Sequence, residues 1–111
     1  MKKLLENYFK NGYNHRQLYR EGDIAIYEMT NTESDRTLAY EVFEIQKYPE
    51  REIAGRIIPA SEASPSNEQW GIKGFTYWKF DLAKEKACQM LAAWQTRNLA
   101  KRHSSELNLV G

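Results

Sequence analysis

Cysteine is nearly absent from this chain, Cys88 standing alone among 111 residues. A single thiol excludes an intramolecular disulfide framework and any multi-cysteine zinc set, and it fits a reducing compartment, so the sequence reads as cytoplasmic. Long apolar runs are missing too. No stretch approaches the roughly 18 apolar residues of a spanning helix, so no membrane association is expected. In MKKLLENYFKNGY the residues Glu6, Asn7 and Lys10 interrupt the apolar core that a secretory signal needs after its lysines. Histidine is scarce: His15 falls beside a turn and His103 near the chain end, which leaves neither a metal motif nor a nucleophile with a neighbouring base. Nothing around Cys88 is expected to activate it, and it reads as a partly buried, inert thiol. No cofactor is implied, and repeats and low-complexity segments are lacking.

What remains suits one domain over residues 1–111. Apolar residues make up 41% and aromatics 13%, and a chain of this length buries roughly two thirds of its unfolded surface on folding. The net charge of +1 hides an uneven layout, with +4 over residues 1–20, −7 over 21–68 and +4 over 69–111. Such blocks are expected to neutralise one another in the folded chain.

Leu4, Leu5, Tyr8 and Phe9 recur at helical spacing, which predicts a short N-terminal helix ended by Gly12. Ile24 to Thr30 alternates as a strand with apolar groups on both faces. TLAYEVFEIQKY, residues 37–48, supplies its hairpin partner. Within that partner the apolar phase switches between Val42 and Phe43, as a bulge or two-sided burial would produce. Pro49 to Glu52 predicts a turn, Ile53 to Ile58 a short edge strand ended by Pro59, and Phe75 to Phe80 a last, aromatic strand. Asp81 fits the N-cap of a long helix whose apolar stripe is Ala83, Ala87, Met90, Leu91, Trp94 and Asn98. From Ser104 to Gly111 no period persists, and a flexible tail is expected. The fold class is therefore α+β: an antiparallel sheet of four or five strands packed against a long C-terminal helix, with a short N-terminal helix.

PSNEQWGIKGFTYW, residues 65–78, holds two tryptophans and two glycines. Ser66 and Gln69 have capping-box spacing, Gly71 suits the end of a one-turn helix, and Gly74 permits the bend into the last strand. The economical reading is a structural corner that buries Trp70 and Trp78 between sheet and helix. YEVFEI (40–45), IPASEASPSNEQWGIKGFTY (58–77) and EKA (85–87) resemble pieces of small uncharacterised proteins carried by bacteriophages and other bacterial mobile elements. The similarity spans residues 40–91, and P-S-x-E-x-W-G-x-x-G-x-T-Y is its most specific run. It implies a compact accessory module of the kind that binds and modulates host machinery, and it brings no activity, cofactor or catalytic residue with it.

Glu28, Glu41 and Glu44 lie on the two hairpin strands, but Glu41 and Glu44 differ in parity and point to opposite faces, so a hydrolytic carboxylate pair is not expected. Gly71 to Gly74 matches the GxxG of a nucleic-acid clamp without the flanking helices that motif requires. The expectation is a non-enzymatic interaction module for a protein partner. Its candidate surface comprises Glu28, Glu41, Glu44, Tyr77, Trp78 and Lys79, with exposed aromatics as anchors. The alternative is a nucleic-acid-binding domain using Arg16, Arg20, Lys73, Lys79, Arg97, Lys101 and Arg102 on phosphates and Tyr77 or Trp78 for stacking.

Overall fold

A computed structural model describes the backbone of residues 1–34 and 36–110, and the side chains of these residues up to Lys101. The chain opens with a hairpin. Strand β1 (Asn7–Lys10) turns through Asn11 and Gly12 into β2 (Tyr13–Glu21), both turn residues holding positive φ (56° and 86°). Asn-Gly is the pair best suited to such a tight two-residue turn, and it overrides the helical spacing of Leu4 to Phe9. The expected N-terminal helix is thus a strand with Tyr8 turned inward and Phe9 outward.

Gly22 and Asp23 turn the chain into β3 (Ile24–Asn31), and β4 (Thr37–Glu44) returns along it. The expected single strand 37–48 is cut at Ile45, whose N–H donates to the Asp23 carbonyl at 2.6 Å. Beyond it, β5 (Gln46–Tyr48), β6 (Arg51–Ile53), β7 (Arg56–Ile58) and β8 (Ser61–Ala63) leave the main sheet and form two small sheets, β5 with β8 and β6 with β7. The expected edge strand 53–58 is in fact a hairpin, folded at Ala54 and Gly55 through positive φ of 52° and 77°. A one-turn 3₁₀ helix (Asn67–Gln69) precedes β9 (Gly74–Tyr77), and α1 (Phe80–Val110) ends the fold. Helix α1 begins one residue before the expected N-cap, placing Asp81 in the first turn, where its charge still complements the dipole. The flexible tail expected for 104–111 falls on residues whose side chains lie outside the described set, as does all of Gly111.

Five strands form the main antiparallel sheet in the order β1-β2-β3-β4-β9. Helix α1 lies over β3, β4 and β9, with Ala83 and Ala87 buried on Ile24, Ile26 and Val42 and flanked by Tyr19, Tyr40, Tyr77, Met90, Leu91 and Trp94. The other face buries Ala25, Tyr27, Phe43 and Ile45 beneath Leu4, Tyr8 and Trp70. Two-sided burial explains the phase switch at Val42 and Phe43: both are fully buried, on opposite faces.

The tryptophan corner is as expected in its turn and in Trp70 packing on the sheet, but Trp70 does so on the face opposite the helix rather than between sheet and helix. Gln69 Oε1 accepts from the Ser66 N–H at 3.0 Å, Gly71 ends the turn at φ 91°, and Trp70 packs on Phe43 while its indole N–H donates to Thr76 Oγ1 at 3.0 Å. Gly74 leaves the room that Trp70 occupies, since a Cβ there would lie 2.5 Å from the indole ring. Trp78 does the opposite. Strand β9 stops at Tyr77, and Trp78 follows in the bend before the helix, 84% exposed.

Candidate protein-docking surface

The nominated residues do not share one surface. Glu28, Glu44 and Tyr77 belong to the helix-side face and Glu41 to the opposite one, while Trp78 and Lys79 sit in the bend between β9 and α1. Arg16 Nη2 lies 3.1 Å from Glu28, and Glu44 is shared by Lys73 at 3.4 Å and Arg97. Tyr77 packs against the helix-side core. Trp78 alone of the aromatics in that group stands free.

The basic set thins in the same way. Arg16, Lys73 and Arg97 are held by the glutamates just named, and Arg20 by Glu62 and Asp23. These pairs join the basic ends to the acidic middle, as the charge layout anticipates. The side chain of Arg102 lies outside the described residues, as does that of His103.

His15 departs from its expected place. It lies within β2, 4% exposed, with Nε2 3.1 Å from Glu41 Oε1 and Nδ1 3.1 Å from the Tyr13 carbonyl oxygen, and Tyr8 stacks on the ring at 4.7 Å. Both ring nitrogens face oxygen atoms of the protein, so neither is directed toward solvent. Burial and the Glu41 charge hold the Tyr8 phenol well above its ordinary value. The pair forms part of the lining of a cleft of about 220 Å³ with Lys10, Ser64, Asn67 and Trp70. Cys88, expected partly buried, is exposed, because the residue after Ala87 is turned about 100° away from the sheet.

Tyr48, Ile53 and Ile57 are exposed on an arm where a turn and one edge strand were expected, while Leu5, Phe9, Ile72, Trp78 and Leu99 are exposed elsewhere on the fold. Gln46 to Ala63 runs out from the body and back. Its base, β5 with β8, is tied down: Lys2 N–H donates to the Ala60 carbonyl at 2.9 Å, Glu62 N–H donates to the Lys2 carbonyl at 2.8 Å, and the Glu62 carboxylate takes both terminal nitrogens of Arg20 at 2.7 Å. The Arg20 hydrogen bonds pull the Glu62 carboxyl down to about 2 against the upward effect of burial.

The tip of the arm is β6 with β7, a two-stranded ribbon with each strand paired on one side only. Pairing of Arg51 with Ile58 and Ile53 with Arg56 puts these four on one face, and Glu52 with Ile57 on the other. Ile53 is 50% and Ile57 70% exposed. Among the described residues neither Arg51 nor Arg56 has a carboxylate within 4 Å; Arg51 rests instead over the Tyr48 ring at 5.4 Å. Ile58 carries the first face into a groove of about 400 Å³ whose lining includes Lys2, Lys3, Leu4, Leu5, Pro59 and Glu62.

No family model, curated protein or solved structure matches this chain. Among the described residues no three His, Cys, Asp or Glu side chains gather to hold a metal ion, and no helix is long and apolar enough to cross a membrane.

Proposed function

We propose that this protein is a non-enzymatic interaction module that docks a protein partner on the arm formed by residues 46–63. The carrying observation is the β6–β7 ribbon, which leaves Ile53 and Ile57 half or more in water at the end of a clamped base. Isolated two-stranded hairpins are marginal in water, and aliphatic side chains on such a tip gain most when a second surface covers them. Trp78 offers a second anchor of the type that dominates interface energetics. The chemistry-bearing side chains favour binding over catalysis, because Glu28, Glu41, Glu44 and Glu62 are each engaged by a basic partner. The nucleic-acid alternative is weakened by the same pairing, which takes four of its seven nominated cations.

The test is site-specific photo-crosslinking in cells, with benzoylphenylalanine placed at Ile57, at Trp78 and, as a control, at Glu33 in the β3–β4 loop. A discrete protein adduct from position 57, without a counterpart from 33, is the expected result. Adducts of equal yield from both positions, or nucleic acid as the captured species, would overturn the reading.

A further inference from the structure

The geometry points to the kind of partner: we propose that the outer edge of β7 receives an extended acidic segment whose acidic and aliphatic residues alternate. This rests on the docking role of the arm and names what docks there.

Strand addition needs a free edge, and β7 has one, its only neighbour being β6. Along that edge the side chains read Arg56, Ile57, Ile58, with Arg56 and Ile58 on one face and Ile57 on the other. An added strand places its own residues directly beside these, and cross-strand neighbours of opposite charge or of matching apolar character stabilise the pair. An acidic residue then stands beside Arg56, and the next one on that face, two positions along, stands beside Ile58, whose neighbour on the far side is Arg51; neither arginine has a carboxylate of its own among the described residues. The residue between those two lies on the opposite face against Ile57, where an aliphatic group covers a side chain that is otherwise 70% exposed. Farther along, Lys2 and Lys3 border the groove that Ile58 enters, extending the cationic face toward the body. The β6 edge is the poorer choice. Its sequence Arg51, Glu52, Ile53 sets a carboxylate at its centre, on the face where the aliphatic residue is needed.

Register also limits the match to a short segment. Pro59 directly follows β7 and has no N–H to donate, and with the backbone N–H and C=O of Arg56 and Ile58 turned to Ile53 and Arg51 of β6, Ile57 is the residue of β7 whose N–H and C=O look outward to hold the added strand. Specificity therefore comes from alternation and charge rather than from length.

The experiment is fluorescence anisotropy on the full chain with a labelled peptide of alternating glutamate and valine. A lysine-valine peptide, an all-glutamate peptide, a short DNA duplex and vesicles containing phosphatidylserine serve as comparisons. Saturable binding of the glutamate-valine peptide is expected, weakened about tenfold or more in R51Q/R56Q through loss of the charge-assisted contact at Arg56 and of the neighbouring Arg51 charge. Arg16→Gln, on the main sheet, is expected to leave it unchanged, and the thermal midpoint of R51Q/R56Q shows whether the arm variant is folded. Equal binding of the lysine-valine peptide, indifference to R51Q/R56Q in the folded variant, or tighter binding of the duplex or the vesicles overturns the proposal. The two readings fail separately: a protein adduct at position 57 without glutamate-valine binding removes the acidic-segment assignment alone, and loss of the adduct removes docking on the arm.

Discussion

Glu62→Gln is the sharpest perturbation of the clamp at the base of the arm. The carboxylate is 5% exposed, takes a bidentate pair from Arg20 at 2.7 Å and accepts from the Leu4 N–H at 3.0 Å. It thereby fastens the N-terminal segment, β2 and β8 at one point. Glutamine keeps the shape and the acceptor for Leu4 but removes the charge and turns an amide NH2 toward the guanidinium. Depression of the carboxyl from 4.5 to about 2 has a ceiling of about 3 kcal/mol, at roughly 1.4 kcal/mol per tenfold change in proton affinity. Arg20 keeps 23% of its side chain in water, and solvent screening reduces the expected loss to about 1–2 kcal/mol.

The sign with pH follows from the direction of the shift. A carboxyl whose folded value lies below its unfolded one stabilises fully above the unfolded value, and that contribution is lost as pH falls through the folded one. Urea unfolding followed by tryptophan fluorescence should give wild type and Glu62→Gln a constant gap from pH 8 to about 5. The gap should narrow from about 4.5 downward and close near 2. A gap of the same size at pH 7 and pH 3 would refute charge as the source and leave only shape. In a double-mutant cycle, Arg20→Gln is expected to cost more than Glu62→Gln, since it strands a buried carboxylate, and the double variant less than the sum.

Other perturbations follow from single contacts. Gly74→Ala places a Cβ against the Trp70 ring and is expected to cost about 1–3 kcal/mol by overpacking, read as a lowered thermal midpoint and a changed Trp70 emission. Gly22→Ala combines φ of +58° with a clash against Trp94 and should lower the midpoint further. Phe43→Ala empties a site stacked on Tyr27 and packed by Trp70, with about 3–5 kcal/mol lost in chemical denaturation. Trp78→Ser, at a side chain 84% exposed, should change stability by less than about 0.5 kcal/mol, and a loss above 1 kcal/mol would show that the indole packs on the fold after all.

Much of the fold is legible in the sequence because its signals are local and agree with one another. Ile24 to Asn31 alternates and forms β3 within one residue of its expected end, and the stripe Ala83, Ala87, Met90, Leu91, Trp94 forms the helix face that meets the sheet. The misses come where two local signals compete. Leu4, Leu5, Tyr8 and Phe9 carry a helical period, but Asn11-Gly12 fixes a hairpin, and once β2 is present Tyr8 gains a stacking partner in His15. At residues 53–58 the six-residue run suggests one strand, whereas Ala54-Gly55 demands a turn. An alanine at positive φ is a weak signal, so only the glycine marks the place. Trp78 was unreadable for another reason. Alternation along FTYWKF gives it a face, yet the strand ends one residue earlier, and nothing in the residue itself distinguishes a core indole from an anchor. The site was harder still, because pairing of Glu28, Glu44 and Arg97 depends on contacts from residues far apart in the chain.

The division of labour within the arm supports docking there rather than mere decoration of the fold. Everything at the base is tied: the Glu62–Arg20 pair, the backbone bonds to Lys2, and Asp23, which Lys47 approaches at 3.1 Å and whose carboxylate accepts the Trp94 indole N–H at 3.0 Å. That chain of contacts runs from the arm through the β2–β3 turn to α1, so the direction in which the arm leaves the body is set by the core. The tip, by contrast, leaves Ile53 and Ile57 in water, and among the described residues its arginines meet no carboxylate. Were Gln46 to Ala63 only a connection between β4 and β9, a short polar loop would span it at lower cost in exposed apolar surface. A clamped base with an unsatisfied tip is what presentation to a partner requires, because a fixed base removes much of the ordering entropy that a loose hairpin would lose on binding.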